Sequence, residues 1–167
     1  MATMRTVHRS LIFKKTIFQE IFHLRNNVLR YTSEDLQKVK GIERMKFFFL
    51  LGAVNAFLAV ALGAFGAHGL EGKIPDKYLE TWKTAVQYQM FHTLGLFTVA
   101  FLADKLPNVG QVALAGWVML VGIILFSGSL YVLSLTQIRV LGAITPFGGL
   151  AFLIAWLVLG YVVVKFL

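Results

Sequence analysis

A small set of histidine, glutamine, tyrosine and hydroxyl side chains interrupts an otherwise apolar chain. His68 and Glu71 come first, then Gln87, Tyr88, Gln89 and His92, and later Ser127, Ser129, Tyr131 and Thr145. Histidine titrates near neutral pH and is a common metal ligand, so His68 and His92 could ligate haem or a metal ion. Two histidines without further ligand spacing make a poor site, and no metal and no cofactor is assigned. Ser127 or Ser129 could be drawn with His92 and Glu71 as a hydrolytic triad. The run Phe126-Ser127-Gly128-Ser129-Leu130 lies inside a helical stretch, however, and lacks the strand-to-helix turn that exposes a nucleophile. No phosphate loop, zinc motif or dinucleotide fingerprint occurs. No catalytic residue is assigned, and the reading leans away from an enzyme.

Hydrogen-bond chemistry in an apolar medium remains. Tyr88 and His92 are four residues apart and share a helical face, and Gln89 and His92 are three apart. Polar groups in hydrocarbon are costly unless they are paired or face water. Two arrangements meet that condition. One is an interhelical network that only fixes packing, as in a structural or accessory membrane subunit. The other is a polar half-pocket, closed towards the chain termini, that binds or passes a small solute, ion or lipid. His68, Gln87, Tyr88, Gln89, His92, Ser127, Ser129 and Thr145 are the candidate pocket residues. Asn55 is the main polar exception in the opposite half.

The elements that position these residues follow from composition. The chain has 167 residues, 57% of them apolar and 14% charged, and no cysteine. Its mean hydropathy is +0.72. Soluble domains run at about 45–50% apolar and roughly a quarter charged. A disordered chain and a disulfide scaffold are excluded, and an integral membrane protein is indicated. Uncharged stretches run over residues 47–67, 84–103, 106–138 and 140–164. Each can supply the roughly 20 apolar residues of one spanning helix. Only helices satisfy their own backbone in lipid without barrel-type alternation. The expected fold is therefore an all-α membrane protein, four transmembrane helices in an antiparallel bundle, with spans near 47–67, 84–103, 110–135 and 146–166. The loop 69–75 carries Gly69, Gly72 and Pro75. Asp76 is expected to cap the second helix and Asn108 the third, and Thr145-Pro146 to open the fourth.

The net charge of +8 is uneven. Residues 1–44 hold nine basic and four acidic residues, and the remaining 123 hold seven and four. This basic extension reads as an amphipathic helix over roughly 10–29, suited to an anionic leaflet. Nucleic-acid binding is not expected, because the basic residues are scattered among apolar ones. Met45-Lys46-Phe47 also has the form of a natural start, which would make the extension a mis-assigned leader. The excess of Lys and Arg in the extension predicts cytoplasmic termini. Small residues at helical spacing mark close helix contact: Gly52, Ala56, Ala59, Gly63 and Ala67 in the first span, Ala151 and Ala155 in the fourth. They serve internal packing or a homo-oligomer face. The expected partners are the lipid bilayer and a small-molecule ligand or a second membrane protein.

Four motifs occur in order: Gly63-Ala64-Phe65-Gly66-Ala67-His68-Gly69-Leu70, Trp82-Lys83-Thr84-Ala85-Val86-Gln87-Tyr88-Gln89-Met90-Phe91-His92, Leu125-Phe126-Ser127-Gly128-Ser129-Leu130-Tyr131 and Thr145-Pro146-Phe147-Gly148-Gly149. Their order and spacing resemble domain-of-unknown-function family 423, over residues 45–167. The resemblance implies a multi-pass protein of a bacterial plasma membrane, in a family whose members begin near Met45. It implies no activity.

Overall fold

The computed structural model describes the backbone of residues 2–167 and the side chains of 18–30 and 32–167. Two units divide the chain, 1–39 and 40–167. The helix α1, Ala2–Ala64, supplies residues 2–39 of the first unit and opens the second. Within the first unit, Phe18 stacks on Phe22, and the Arg25 guanidinium lies over the Phe22 ring at 4.9 Å. Its apolar side chains Ile21, Leu24, Val28 and Leu29 are all exposed.

The second unit is a helical bundle. A π-helical turn, Phe65–Leu70, ends the first rod. Leu70 then accepts the backbone N–H of Lys73 and of Ile74, and Gly72 turns the chain at φ 69°, a left-handed conformation that glycine adopts without strain. The helix α2 runs Asp76–Lys105. The third rod consists of α3 (Gly110–Ile123), a π turn (Ile124–Gly128) and α4 (Ser129–Thr136). Gln137, at φ 59°, closes it with its N–H on the Leu133 carbonyl. A 3₁₀ turn, Arg139–Ala143, leads into α5, Thr145–Phe166. Among the described residues there is no strand.

The helix starts differ from the expected caps. Pro75, Val109 and Ile144 hold the cap positions, and none makes a side-chain cap bond. Asp76 instead lies in the first turn of α2, where its negative charge favours the positive end of the helix dipole. Thr145 is the first residue of α5, and its hydroxyl bonds to Ser129 on the neighbouring rod.

Among the described residues, three helical stretches are long and apolar enough to cross a membrane: Phe18–Leu70, Gly110–Thr136 and Arg139–Phe166. The remaining bundle helix, α2, carries Gln87, Gln89, His92 and Thr93 in its middle and charges at both ends, which lowers its hydropathy. The core joins α1, α2, the third rod and α5 through Phe48, Leu96, Val99, Met119, Phe152 and Leu159. Large apolar side chains cover the outside as well. Phe57 is 73% exposed and Leu157 74%. A contiguous apolar exterior suits lipid and not water.

Small residues let the rods approach. Gly52 is buried under the Phe97 ring, and Ala59 and Ala155 are fully buried. Ala56, Gly63 and Ala151 are half-buried, and Ala67 is exposed.

Candidate functional site

The polar residues of the bundle fall into two sets. The first is a closed network across three rods. Asn55 on α1 donates to its own helix at the Leu51 carbonyl, 2.9 Å away. Gln89 on α2 donates to the Asn55 side-chain oxygen and backbone carbonyl, each at 3.4 Å. Tyr131 on α4 donates to Gln89 Oε1 at 2.7 Å. Thr93 donates to the Gln89 carbonyl at 2.7 Å. Trp82 packs against Tyr131, ring centroids 4.6 Å apart, and its indole N–H reaches the Leu62 carbonyl at 2.8 Å. Ser129 and Thr145 share a further bond of 2.9 Å between the third rod and α5. Asn55, placed by depth alone in the opposite half, is thus a member of the cluster.

The second set is open. His92 Nδ1 lies 2.7 Å from the Tyr88 carbonyl. A carbonyl oxygen only accepts, so Nδ1 carries the hydrogen and Nε2 holds the free lone pair of the neutral ring. Among the described residues, His92 Nε2, the Tyr88 hydroxyl and the Gln87 amide make no hydrogen bond within the protein; Gln87 and Tyr88 are exposed residues, Tyr88 by 41%, and His92 is buried. All three residues line one cavity of about 740 Å³ between α2 and α5. Its other walls are Phe91, Phe126, Pro146, Gly149, Leu150, Phe152, Leu153 and Trp156. His92 is 5% exposed and stacks on Phe152, ring centroids 3.3 Å apart and planes 9° apart. Tyr88 stacks on Phe126 at 4.3 Å. A concave, mostly apolar wall with a few convergent polar groups is the usual form of a small-molecule site, and about 300–1,000 Å³ is its usual size.

The other candidate residues lie elsewhere. His68 is exposed on the first π turn. Ser127 is 1% exposed on the second π turn, and its hydroxyl has no partner among the described residues. Gln89, Ser129 and Thr145 belong to the closed bonds. The Ser-His-Glu arrangement is not assembled: Ser129 bonds to Thr145 and to the Phe126 carbonyl, and neither serine bonds to His92. Among the described residues no three His, Cys, Asp or Glu side chains gather to hold a metal ion. At the head of α2, Lys83 donates to Glu80 at 2.7 Å, and that bond holds its ammonium pKa above the ordinary lysine value. The aromatic walls Phe91, Phe126, Phe152 and Trp156 went unmarked in the sequence, where such residues on apolar helices carry no signal beyond lipid contact or core.

A helical bundle with a largely apolar surface and a hydrogen-bonded polar network among its helices defines a small all-α membrane protein. The chain belongs to the family described as "Protein of unknown function (DUF423)", whose model matches residues 62–149. It is 68% identical over 123 residues to the UPF0382 membrane protein YwdK of Bacillus subtilis, covering 74% of this chain and 100% of that relative. A UPF0382 membrane protein of Staphylococcus epidermidis is 54% identical over 123 residues, with 73% and 98% covered. One of Staphylococcus haemolyticus is 53% identical over 116 residues, with 69% and 93% covered. No solved structure matches.

Proposed function

We propose that this protein binds a small amphipathic molecule that enters the groove between α2 and α5 from the bilayer. The observation that carries the reading is the convergence of three unpartnered polar groups, on Gln87, Tyr88 and His92, upon one largely apolar cavity. Polar groups that serve only packing in hydrocarbon find partners within the protein, as Asn55, Gln89 and Tyr131 do. The closed network is accordingly read as packing, and the open set as recognition. The spans are taken as about 47–67, 84–103, 110–135 and 146–166. The host membrane is a bacterial plasma membrane with cytoplasmic termini, and residues 1–44 are a basic extension whose Lys and Arg suit an anionic leaflet.

Trp156 in the cavity wall provides the test. The background is Trp117→Phe, because Trp117 is half-exposed and would meet lipid directly, whereas Trp82 is 2% exposed and contributes a constant signal. In nanodiscs, 1-bromododecane is expected to quench Trp156 in a saturable manner. Gly149→Leu places a side chain in the cavity where an added Cβ meets nothing closer than 3.8 Å. That variant is expected to retain only the linear quenching of probe dissolved in lipid. Linear quenching in the parent protein would refute the reading.

A further inference from the structure

We infer that the molecule held in this groove is a phenolic lipid, a flat hydroxylated ring on a long apolar tail; this rests on the groove being a binding site. The geometry selects the head chemically. His92 Nδ1 is committed to the Tyr88 carbonyl at 2.7 Å, so the ring offers Nε2 as an acceptor only. An ester, a ketone or an ionised carboxylate can accept from the Tyr88 hydroxyl or the Gln87 amide but brings no hydrogen to the Nε2 lone pair, whereas a hydroxyl can donate to Nε2 and accept from the other two. No charged side chain lines the cavity, so no side-chain cation there pairs with a phosphate headgroup.

Ring geometry selects for flatness. The Tyr88 plane lies within 21° of Phe126, 23° of His92 and 31° of Phe152. His92 is itself parallel to Phe152 within 9°. A planar ring added to such a stack gains offset-stacking contacts that a flexible chain cannot make. Trp156 stands tilted at 52° to His92 and presents a side wall. The tail has its own path: Leu153 lines the cavity and is 65% exposed, on the surface that faces lipid.

The test uses the full chain in nanodiscs and displacement of 1-bromododecane from Trp156, in the Trp117→Phe background, by three probes. 4-Dodecylphenol has both ring and hydroxyl, dodecylbenzene has only the ring, and 1-dodecanol has only the hydroxyl. The phenol is expected to displace the quencher at about fivefold lower concentration than either, the scale of one net hydrogen bond against dodecylbenzene and of ring stacking against 1-dodecanol. His92→Phe keeps the stack on Phe152 and removes Nε2, so the phenol should fall to the level of dodecylbenzene. Should that variant fail to fold, the ¹⁵N resonance of His92 Nε2 in the unaltered protein serves instead. It should move upfield on addition of the phenol and stay in place with dodecylbenzene. Equal displacement by all three probes, or an unmoved Nε2 resonance, overturns the phenolic lipid while the groove reading stands. Absence of any saturable quenching by 1-bromododecane overturns both.

Discussion

Gly148→Ala is expected to abolish recovery of folded, monodisperse protein, while Gly149→Ala, one residue further on, leaves it intact or more stable. An added Cβ on Gly148 would run into the backbone nitrogen and Cα of Phe126. Those atoms belong to the π turn Ile124–Gly128, and they cannot swing aside as a side chain can. A π turn fits an extra residue into its coil and widens the helix locally. Gly148 is the residue on α5 whose missing side chain accommodates that bulge. Relief would require the third rod and α5 to separate, along the seam where Gly122 and Phe152 also meet. Overpacking of a tight core costs typically about 1–3 kcal/mol, and a backbone collision lies at or above the upper end. At Gly149 the nearest atoms to an added Cβ are ring carbons of Phe126 at 3.8 Å, an ordinary contact. Alanine there also gains up to roughly 1 kcal/mol of helix propensity over glycine. Size-exclusion profiles and thermal unfolding in mild detergent would measure both. A Gly148→Ala protein that unfolds at the parent temperature would show that the two rods are not in backbone contact.

That seam also shows how much the sequence could say. Uninterrupted apolar stretches made the all-helical class legible, because burial and backbone satisfaction in lipid leave little choice but helices. The two π turns were illegible, since one extra residue per turn is a register choice made by packing and leaves no mark in residue type. The caps at Asp76, Asn108 and Thr145 were expected from local preference, and tertiary bonding overrode it at Thr145, whose hydroxyl serves Ser129. For the site, counting residues from the helix ends brought Tyr88, Gln89, His92 and Tyr131 to one level. Depth gives no rotation about the helix axis, however. Only rotation separates Gln89, which points at Asn55, from Gln87 and His92, which line the cavity. Depth also misplaced Asn55, because antiparallel α1 and α2 bring its level to that of Gln89 near mid-span. His68, the most suggestive residue of the first motif, is carried to the outside on its π turn.

Rotation makes the closed network a separable quantity, and its energy can be measured apart from the groove. Gln89→Leu is expected to destabilise the bundle by about 2 kcal/mol, because it leaves the half-buried Tyr131 hydroxyl and the buried Asn55 side-chain oxygen unpaired, at roughly 1–3 kcal/mol for a stranded group. Tyr131→Phe keeps the ring packed on Trp82 and strands only Gln89 Oε1, so about 1 kcal/mol is expected. Once Gln89 is leucine, Tyr131→Phe no longer breaks a bond and instead removes a stranded hydroxyl. The double variant should therefore fall short of the sum of the two single changes. Interhelical hydrogen bonds in membrane proteins average about 0.6 kcal/mol of coupling and reach about 1.7. The short bond of 2.7 Å, with Gln89 buried and Tyr131 half-buried, should lie in the upper part of that range. Reversible unfolding of the four proteins in mixed micelles gives the coupling directly, and strict additivity would mean that Tyr131 and Gln89 do not act as a pair. Tyr131→Phe should also leave the saturable quenching of Trp156 unchanged, since Tyr131 bonds on the α1 side of Gln89 and does not line the cavity. If Tyr131→Phe weakened probe binding as strongly as His92→Phe, the division into a packing network and a recognition wall would fail, and the polar cluster would have to be treated as one site.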